Sequence, residues 1–325
     1  MQPPTPLRRP LRVGVVGQGP WGQRLAARWA AAPGVDWRGA AAPGQRTLEA
    51  LLDEGLDLAL IATEPARHAT VAARCLAACG AVFIEKPPAL DLDELALIEA
   101  AAGRPGRLIG SSVWMAVPWV QAAQRALCAA APTTAQARLE LWRHNPVAPP
   151  SGIDELVDLV PHDLLLLHSH TRRLADLAQA TRGPSGVEAQ LWWAARHGQD
   201  DALHAVIDLS WAKPRARGLR LALGSHAQLW AGEAGHQPAE AWVLDANDVA
   251  QPIPLAPSPE PLLTERDLVL DALRRADHAQ LEAAWAHQRR GVATLAALRS
   301  SLAENGARIP IQAPPAPPWT TPPRT

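Results

Sequence analysis

The chain has no tyrosine and one phenylalanine, Phe83, and only two of its 31 basic residues are lysines, Lys86 and Lys213. The missing tyrosine excludes every dehydrogenase mechanism that uses a Tyr hydroxyl as proton donor. The composition has drifted toward arginine, so a lysine that survives the drift is a candidate for chemistry of its own. Cysteine is also scarce: Cys75, Cys79 and Cys128 are too few for a disulfide framework. Cys75 and Cys79 stand four apart on an expected helix with no further ligand nearby, so they read as small core residues and no metal is expected. No apolar run reaches the roughly 18–20 residues of a membrane helix. The first ten residues lack the apolar centre of a secretion signal. A net charge of −1 without a basic run excludes the cationic footprint of a nucleic-acid binder. These absences point to a cytoplasmic protein with a small-molecule partner.

What is present is a globular composition, 48% hydrophobic and 19% charged over 325 residues, too long for one small core. Residues 11–17 form an apolar, β-branched run that stops at glycine and reads as a buried parallel strand. Helix (20–32), strand (35–41), helix (48–52), strand (56–62), helix (66–79), strand (81–85), helix (92–102) and strand (107–112) follow. That alternation predicts βαβ units, a parallel sheet and a Rossmann domain over 1–118. The rhythm then changes. Helices at 118–131 and 153–170 and a strand at 135–142 precede a run of alternating segments, 187–195, 202–211, 218–223, 227–231 and 241–244. Two helices, 264–276 and 281–302, close the chain. This predicts an α+β domain over 119–312 with an open, mainly antiparallel sheet. The Pro-rich stretch 313–325 reads as an extended or disordered tail.

Gly17, Gly19 and Gly22 form G-x-G-x-x-G between the first strand and a helix that opens at Pro20 and Trp21. The first Gly allows the sharp turn, the second lets the backbone approach a pyrophosphate, and the third allows close packing of helix on strand. The helix N-terminus then offers free N–H groups to phosphate. A nicotinamide dinucleotide is the expected cofactor. The tip of the second strand carries no carboxylate for a ribose 2′-hydroxyl; it runs into Ala42, Pro43, Gly44, Gln45 and Arg46. That favours NADP over NAD, with Arg46 as the phosphate contact.

Two further signals follow: Thr63-Glu64-Pro65-Ala66-Arg67-His68 after the third strand, and Glu85-Lys86-Pro87 after the fourth. Glycine loop, T-x-P-x-x-H and E-K-P in this order resemble the glucose–fructose oxidoreductase / inositol dehydrogenase / MocA (Gfo/Idh/MocA) family. Asp158-Leu159-Val160-Pro161-His162-Asp163 resembles the D-x-G-x-H helix of that family, in the form of its sugar and nucleotide-sugar branches. The resemblance implies a hydride transfer between nicotinamide and a secondary alcohol or ketone of a sugar, cyclitol or nucleotide sugar. It places substrate in a cleft between the nicotinamide and the sheet of the second domain, and it implies a homo-oligomer, dimer or tetramer. Lys86 would lie beside the nicotinamide and the reacting carbon. His162 would take the hydroxyl proton, and Asp158 would position it or bind substrate. Thr63, Pro65, His68 and Glu85 would shape the cofactor site, and Trp114 and Asp163 would contact substrate.

The chemistry agrees. An imidazole titrating near neutrality suits removal of a hydroxyl proton, a nearby ammonium stabilises the developing alkoxide, and residues 158 and 162 share one helix face. The sequence also departs from the family. Pro161, preceded by Val160, stands before the His where the family has Gly. Leu165 stands where an Asp is common, and residues 114–118 (WMAVP) are apolar where relatives carry polar substrate contacts. Two other readings therefore stay open: a non-catalytic dinucleotide-binding relative, and a reductase of an imine or conjugated bond on the same fold.

Overall fold

A computed structural model describes residues 9–129, 136–148, 153–171, 173–194, 202–223, 227–234, 239–244, 249–257 and 259–320. The expected element ends at 131, 135 and 195 lie outside these residues. The elements run β1 (Leu11–Val16), α1 (Pro20–Ala30), β2 (Val35–Ala41), α2 (Leu48–Leu52), β3 (Leu58–Ile61), α3 (Pro65–Leu76), β4 (Ala81–Ile84), α4 (Leu92–Ala102) and β5 (Leu108–Gly110). Then come α5 (Pro118–Ala129), β6 (Gln136–His144), α6 (Glu155–Thr171), β7 (Leu177–Gly183), β8 (Gly186–Trp193), β9 (Ala202–Ser210) and β10 (Ala216–Leu223). The chain continues through β11 (Ala227–Ala234), β12 (Glu240–Leu244), β13 (Ala250–Pro252), α7 (Pro261–Arg275), α8 (His278–Ala303) and β14 (Ile309–Pro310).

The chain divides into two compact units, and the first is discontinuous: residues 1–113, 259–292 and 314–325. Its sheet has five parallel strands in the order β2-β1-β3-β4-β5. β3 and β4 are buried at every position, as expected of strands covered by helices on both faces. One face packs Leu51, Val71, Cys75, Leu76, Leu95 and Ile98. The other packs Leu25 and Trp29 together with Leu262, Val269, Leu270 and Leu281 from α7 and α8. Cys75 and Cys79 are free and buried in this core, where burial pushes the Cys75 thiol up to about 12. Among the described residues no cluster of three or more His, Cys, Asp or Glu is arranged to hold a metal, and no helix is long and apolar enough to cross a membrane.

The second unit comprises residues 114–258 and 293–313. Its nine-stranded sheet has the order β13-β12-β11-β10-β6-β9-β8-β7-β14, antiparallel throughout except for the parallel pair β6 and β9. Helices α5 and α6 cover one face, against which Leu139, Leu141, Ala205, Ile207, Leu219 and Leu221 are buried. Trp142, Trp230 and Trp242 alternate onto the other face and stack in a row, with centroids 6.2 and 4.4 Å apart.

Three expectations change here. A contiguous division at 118 and 312 fails because α7 and the first half of α8 supply the apolar cover of the first sheet. The Pro-rich stretch is anchored within its described part: Trp319 packs on the first core while its indole donates to Glu282 at 3.0 Å, and just before it Ile309–Pro310 pairs with β7. β7 itself (LAQATRG) was not expected, because Gln179, Thr181 and Arg182 leave it only short apolar alternation.

Candidate functional site

The glycine loop closes against the loop after β3. Gly17 has φ of +107°, and a Cβ there would lie 2.3 Å from the Ala62 carbonyl oxygen. A Cβ on Gly22 would lie 2.1 Å from the Gly17 carbonyl oxygen. Both positions therefore require glycine for steric reasons. Gly19 differs: a Cβ there would meet no atom within 4 Å, so its lack of a side chain serves open space in front of the loop. Gly19 is the N-cap of α1, Pro20 follows at its first position, and no acidic residue lies in the first turn. This is an uncapped helix end with N–H groups available to an anion. The residues fit a dinucleotide pyrophosphate, because the one glycine that no neighbour demands is the one facing outward.

The T-x-P-x-x-H and E-K-P segments are tied together by His68. It is buried, and its Nδ1 lies 2.8 Å from the Pro87 carbonyl while its Nε2 lies 3.0 Å from the Thr63 carbonyl. Burial lowers its pKa, against the pull of the two carbonyls. Thr63 and Pro65 form the entry to α3, with Pro65 at its first position. Lys86 is thus fixed from both sides, between buried Glu85 and Pro87, and is the only residue from 81 to 89 that is not fully buried.

Glu85 is itself part of a cluster that sequence did not suggest. It is 4% exposed and Glu265 of α7 is 5% exposed. Glu265 accepts from the Ser112 backbone N–H. Trp21 and Ser111 face Glu85 and favour its ionised form, while among the described residues no hydrogen bond of full geometry reaches the buried Trp21 indole nitrogen, Ser111 hydroxyl or Glu85 Oε1. Burial, and then the neighbouring Glu85, pushes the Glu265 carboxyl up to about 8, and burial raises Glu85 as well. A glutamate on a helix carries no local mark of such a fate.

Arg46 does not take the expected place. Its guanidinium donates to the carbonyls of Arg38 (2.8 Å) and Ala50 (2.5 Å) and to Glu54 (2.6 Å). It clips the β2–α2 turn, and a phosphate would have to displace Glu54. The tip of β2 remains free of any carboxylate at Ala41 and Ala42.

In the second unit α6 presents Asp158 and His162. From 155 to 168 these two alone escape full burial. The Trp211 indole donates to Asp158 at 3.3 Å, and His162 meets the Trp114 ring edge-on, centroids 5.5 Å apart. Trp114 lies in the short 3-10 turn Val113–Ala116. It is covered by two guanidinium groups, those of Arg143 at 4.2 Å and Arg217 at 4.9 Å from its centroid. Asp163, expected to contact substrate, instead accepts two bonds from Arg143 at 2.7 and 2.8 Å. Both side chains are only 4% exposed, so Asp163 holds Arg143 over Trp114. His168, further along the helix, is a core residue that bonds Thr294 at 3.0 Å. The arginines were legible in principle. Leu139, Leu141, Arg143 and Leu221, Leu219, Arg217 are inward-facing positions of β6 and β10, and a charge at such a position is anomalous.

Residues 11–111 match the Gfo/Idh/MocA model, described as an oxidoreductase family with an NAD-binding Rossmann fold. No curated protein sequence matches the chain significantly. Among solved structures it is similar to UDP-N-acetylglucosamine 3-dehydrogenase from Acidithiobacillus ferrooxidans, at 23% identity over 90% of this chain and 99% of that one, TM-score 0.69. It is also similar to an inositol dehydrogenase homologue from Azotobacter vinelandii complexed with NADH and myo-inositol, at 15% identity over 94% and 99%, TM-score 0.70. A third is a 3-ketoreductase from Actinomadura kijaniata complexed with TDP-benzene and NADP, at 18% identity over 90% and 98%, TM-score 0.73. Glycine loop, T-x-P-x-x-H and E-K-P thus stand on the fold expected of them, within the residues that match the NAD-binding Rossmann fold of the Gfo/Idh/MocA oxidoreductase family.

Proposed function

We propose that the protein transfers hydride between a nicotinamide dinucleotide and a secondary alcohol or ketone of a sugar, cyclitol or nucleotide sugar. The observation that carries this reading is selective exposure. Lys86 is the one residue of 81–89, and Asp158 and His162 the only two of 155–168, that the fold leaves accessible. Dinucleotide, when bound, supplies the hydride acceptor or donor. The chain supplies the rest. Gly17, Gly19, Gly22 and the N–H groups from Trp21 onward hold the pyrophosphate, with Pro20 starting the helix, and Thr63, Pro65 and His68 keep the adjoining loop in place. Glu85 anchors Lys86, whose ammonium stabilises negative charge on the reacting oxygen. His162 accepts the hydroxyl proton during oxidation and returns it during reduction, with Asp158 orienting it or the substrate. Trp114 forms an apolar wall for the substrate.

The carboxylate-free tip of β2 favours NADP over NAD, without help from Arg46. The tryptophan row on the face of the second sheet opposite α5 and α6 suits pairing with a second copy of the chain. Two free buried cysteines suit a reducing cytoplasm. The three neighbours act on or bind a nucleotide sugar, a cyclitol and a nucleotide-linked ligand, which supports the substrate class. The test is turnover by Lys86→Met and His162→Asn over a panel of these alcohols and ketones, with NADH and NADPH binding measured in parallel. Both variants should lose turnover by at least about a hundredfold while binding dinucleotide. Normal turnover by Lys86→Met would overturn the mechanism.

A further inference from the structure

Arg143 and Arg217 are register partners on adjacent strands, and both press on one indole. Two guanidinium groups so placed repel each other, and the surroundings compensate them unequally. Arg143 is fully matched by its paired bonds to buried Asp163. Arg217 has an 18% exposed side chain and only two long contacts, to Glu233 at 3.3 Å and to the Asn145 side-chain oxygen at 3.2 Å. Its Nε–H is buried with no hydrogen-bond partner among the described residues. Desolvation, reinforced by Arg143, lowers its pKa to about 10, so it still carries its charge at neutral pH. An arginine has five N–H donors in a rigid fork. Here the guanidinium lies over Trp114 with its Nε–H unspent, and among the described residues its ion pair is with the part-exposed Glu233.

We infer that Arg217 is a specificity-determining residue, the receptor for an anionic oxygen group, carboxylate or phosphate, carried by the substrate that His162 serves. Arg217 and His162 touch the same indole, so they lie no more than about 10 Å apart. A ring hydroxyl at His162 and an acidic group at Arg217 therefore belong to one sugar-sized molecule: the acid is borne by the reacting ring or by the atom next to it. The apolar segment 114–118 then ceases to be a gap in the recognition of a polar substrate. Its Trp114 is the platform that orients the fork, and one charge-assisted contact replaces several hydroxyl contacts.

This inference rests on the hydride-transfer reading for its substrate but can fail separately from it. Full-length protein saturated with NADPH is titrated calorimetrically, and assayed for turnover with NADP and NADPH. The ligands are glucose, glucuronate, glucose 1-phosphate and UDP-N-acetylglucosamine. The acidic ligands should bind and react at least about tenfold better than glucose. Glucuronate against glucose 1-phosphate tells whether the acid is a ring carboxylate or an anomeric phosphate. Arg217→Gln, which keeps shape and polarity, should collapse the acidic-to-neutral ratio of kcat/KM toward one through KM, and Arg217→Lys should restore part of it. Thermal unfolding and NADPH affinity report whether each variant is folded, and the wild-type preference needs no variant at all. An acidic-to-neutral ratio near one in the wild type, or a ratio preserved in Arg217→Gln, overturns the inference. Acid-selective binding without turnover of any alcohol or ketone would sink the hydride-transfer reading and leave Arg217 standing.

Discussion

Replacing Glu265 by Gln should make the protein more stable, and by an amount that grows with pH. Glu265 sits 5% exposed against Ser112 and the equally buried Glu85, and its carboxyl titrates in the fold at about 8 instead of the ordinary 4.5. Between those values the folded protein keeps a proton that the unfolded chain has released. Stability therefore declines as pH rises, by about 1.4 kcal/mol per unit. The contribution is intact below pH 4.5, falls through the window up to about pH 8, and is lost above it. Between pH 5 and pH 8 the loss attributable to this one group is roughly 3.5 kcal/mol. Glutamine does not titrate, retains an oxygen for the Ser112 N–H, and can donate to Glu85. Glu85 has a raised pKa of its own, so both proteins keep some slope. Removing the neighbouring charge eases the ionisation of Glu85, which flattens the variant further. Melting curves of wild type and Glu265→Gln, each from pH 5 to pH 8, should nearly coincide at the acid end. They should separate by roughly 5 °C at the alkaline end, the variant being higher. Parallel curves, or a variant that melts lower at pH 8, would show that Glu265 is ionised in the fold and that the cluster with Glu85 is wrongly read.

The two glycines of the loop should separate by assay. Gly22→Ala drives a methyl into the Gly17 carbonyl and should lower stability by on the order of 2 kcal/mol or more, seen in urea unfolding. Gly19→Ala meets no protein atom, so its melting temperature should hold while its dinucleotide Kd rises about tenfold. Arg46→Ala should cost about 1 kcal/mol of stability through the lost Glu54 pair and carbonyl bonds. It should leave the NADPH-to-NADH ratio of affinities where it was, and a ratio shifted toward NADH would return Arg46 to the cofactor. Trp319→Ala removes the indole bond to Glu282 and a partly buried ring from the first core. It should lower the melting temperature by roughly 3–6 °C, whereas a loose tail would tolerate it without change.

The first unit was legible because its signals are local and steric. A β-branched run ending in glycine, a glycine three residues before a helix turn, and an uninterrupted apolar strand each constrain the backbone within a few residues. Lys86 and His162 stood out through motifs on such elements, and the fold leaves both part-exposed. What could not be read depends on contacts across long stretches of chain. Glu265 meets Ser112 and Glu85, Asp163 meets Arg143, and Trp319 meets Glu282. None of these pairs shares a periodicity that would announce it. Asp163 looked like a substrate ligand because it follows His162. Its position on the inner side of α6 turns it to Arg143 instead. Arg46 looked free because its partners, Arg38, Ala50 and Glu54, gather only once β2 and α2 are formed.

The discontinuity of the first unit has a consequence for how the chain comes to be folded. A ribosome delivers all five parallel strands before α7, α8 and Trp319 exist. During that interval the face later covered by Leu262, Val269, Leu270 and Leu281 is apolar and open to water. The nascent chain must make the whole of 114–258 before the first unit can be sealed. A fragment ending at 113 should therefore bind chaperones or aggregate while it waits. Its glycine loop would be formed, but Glu85 would still be exposed to water, ionised and without the lid that Glu265 brings.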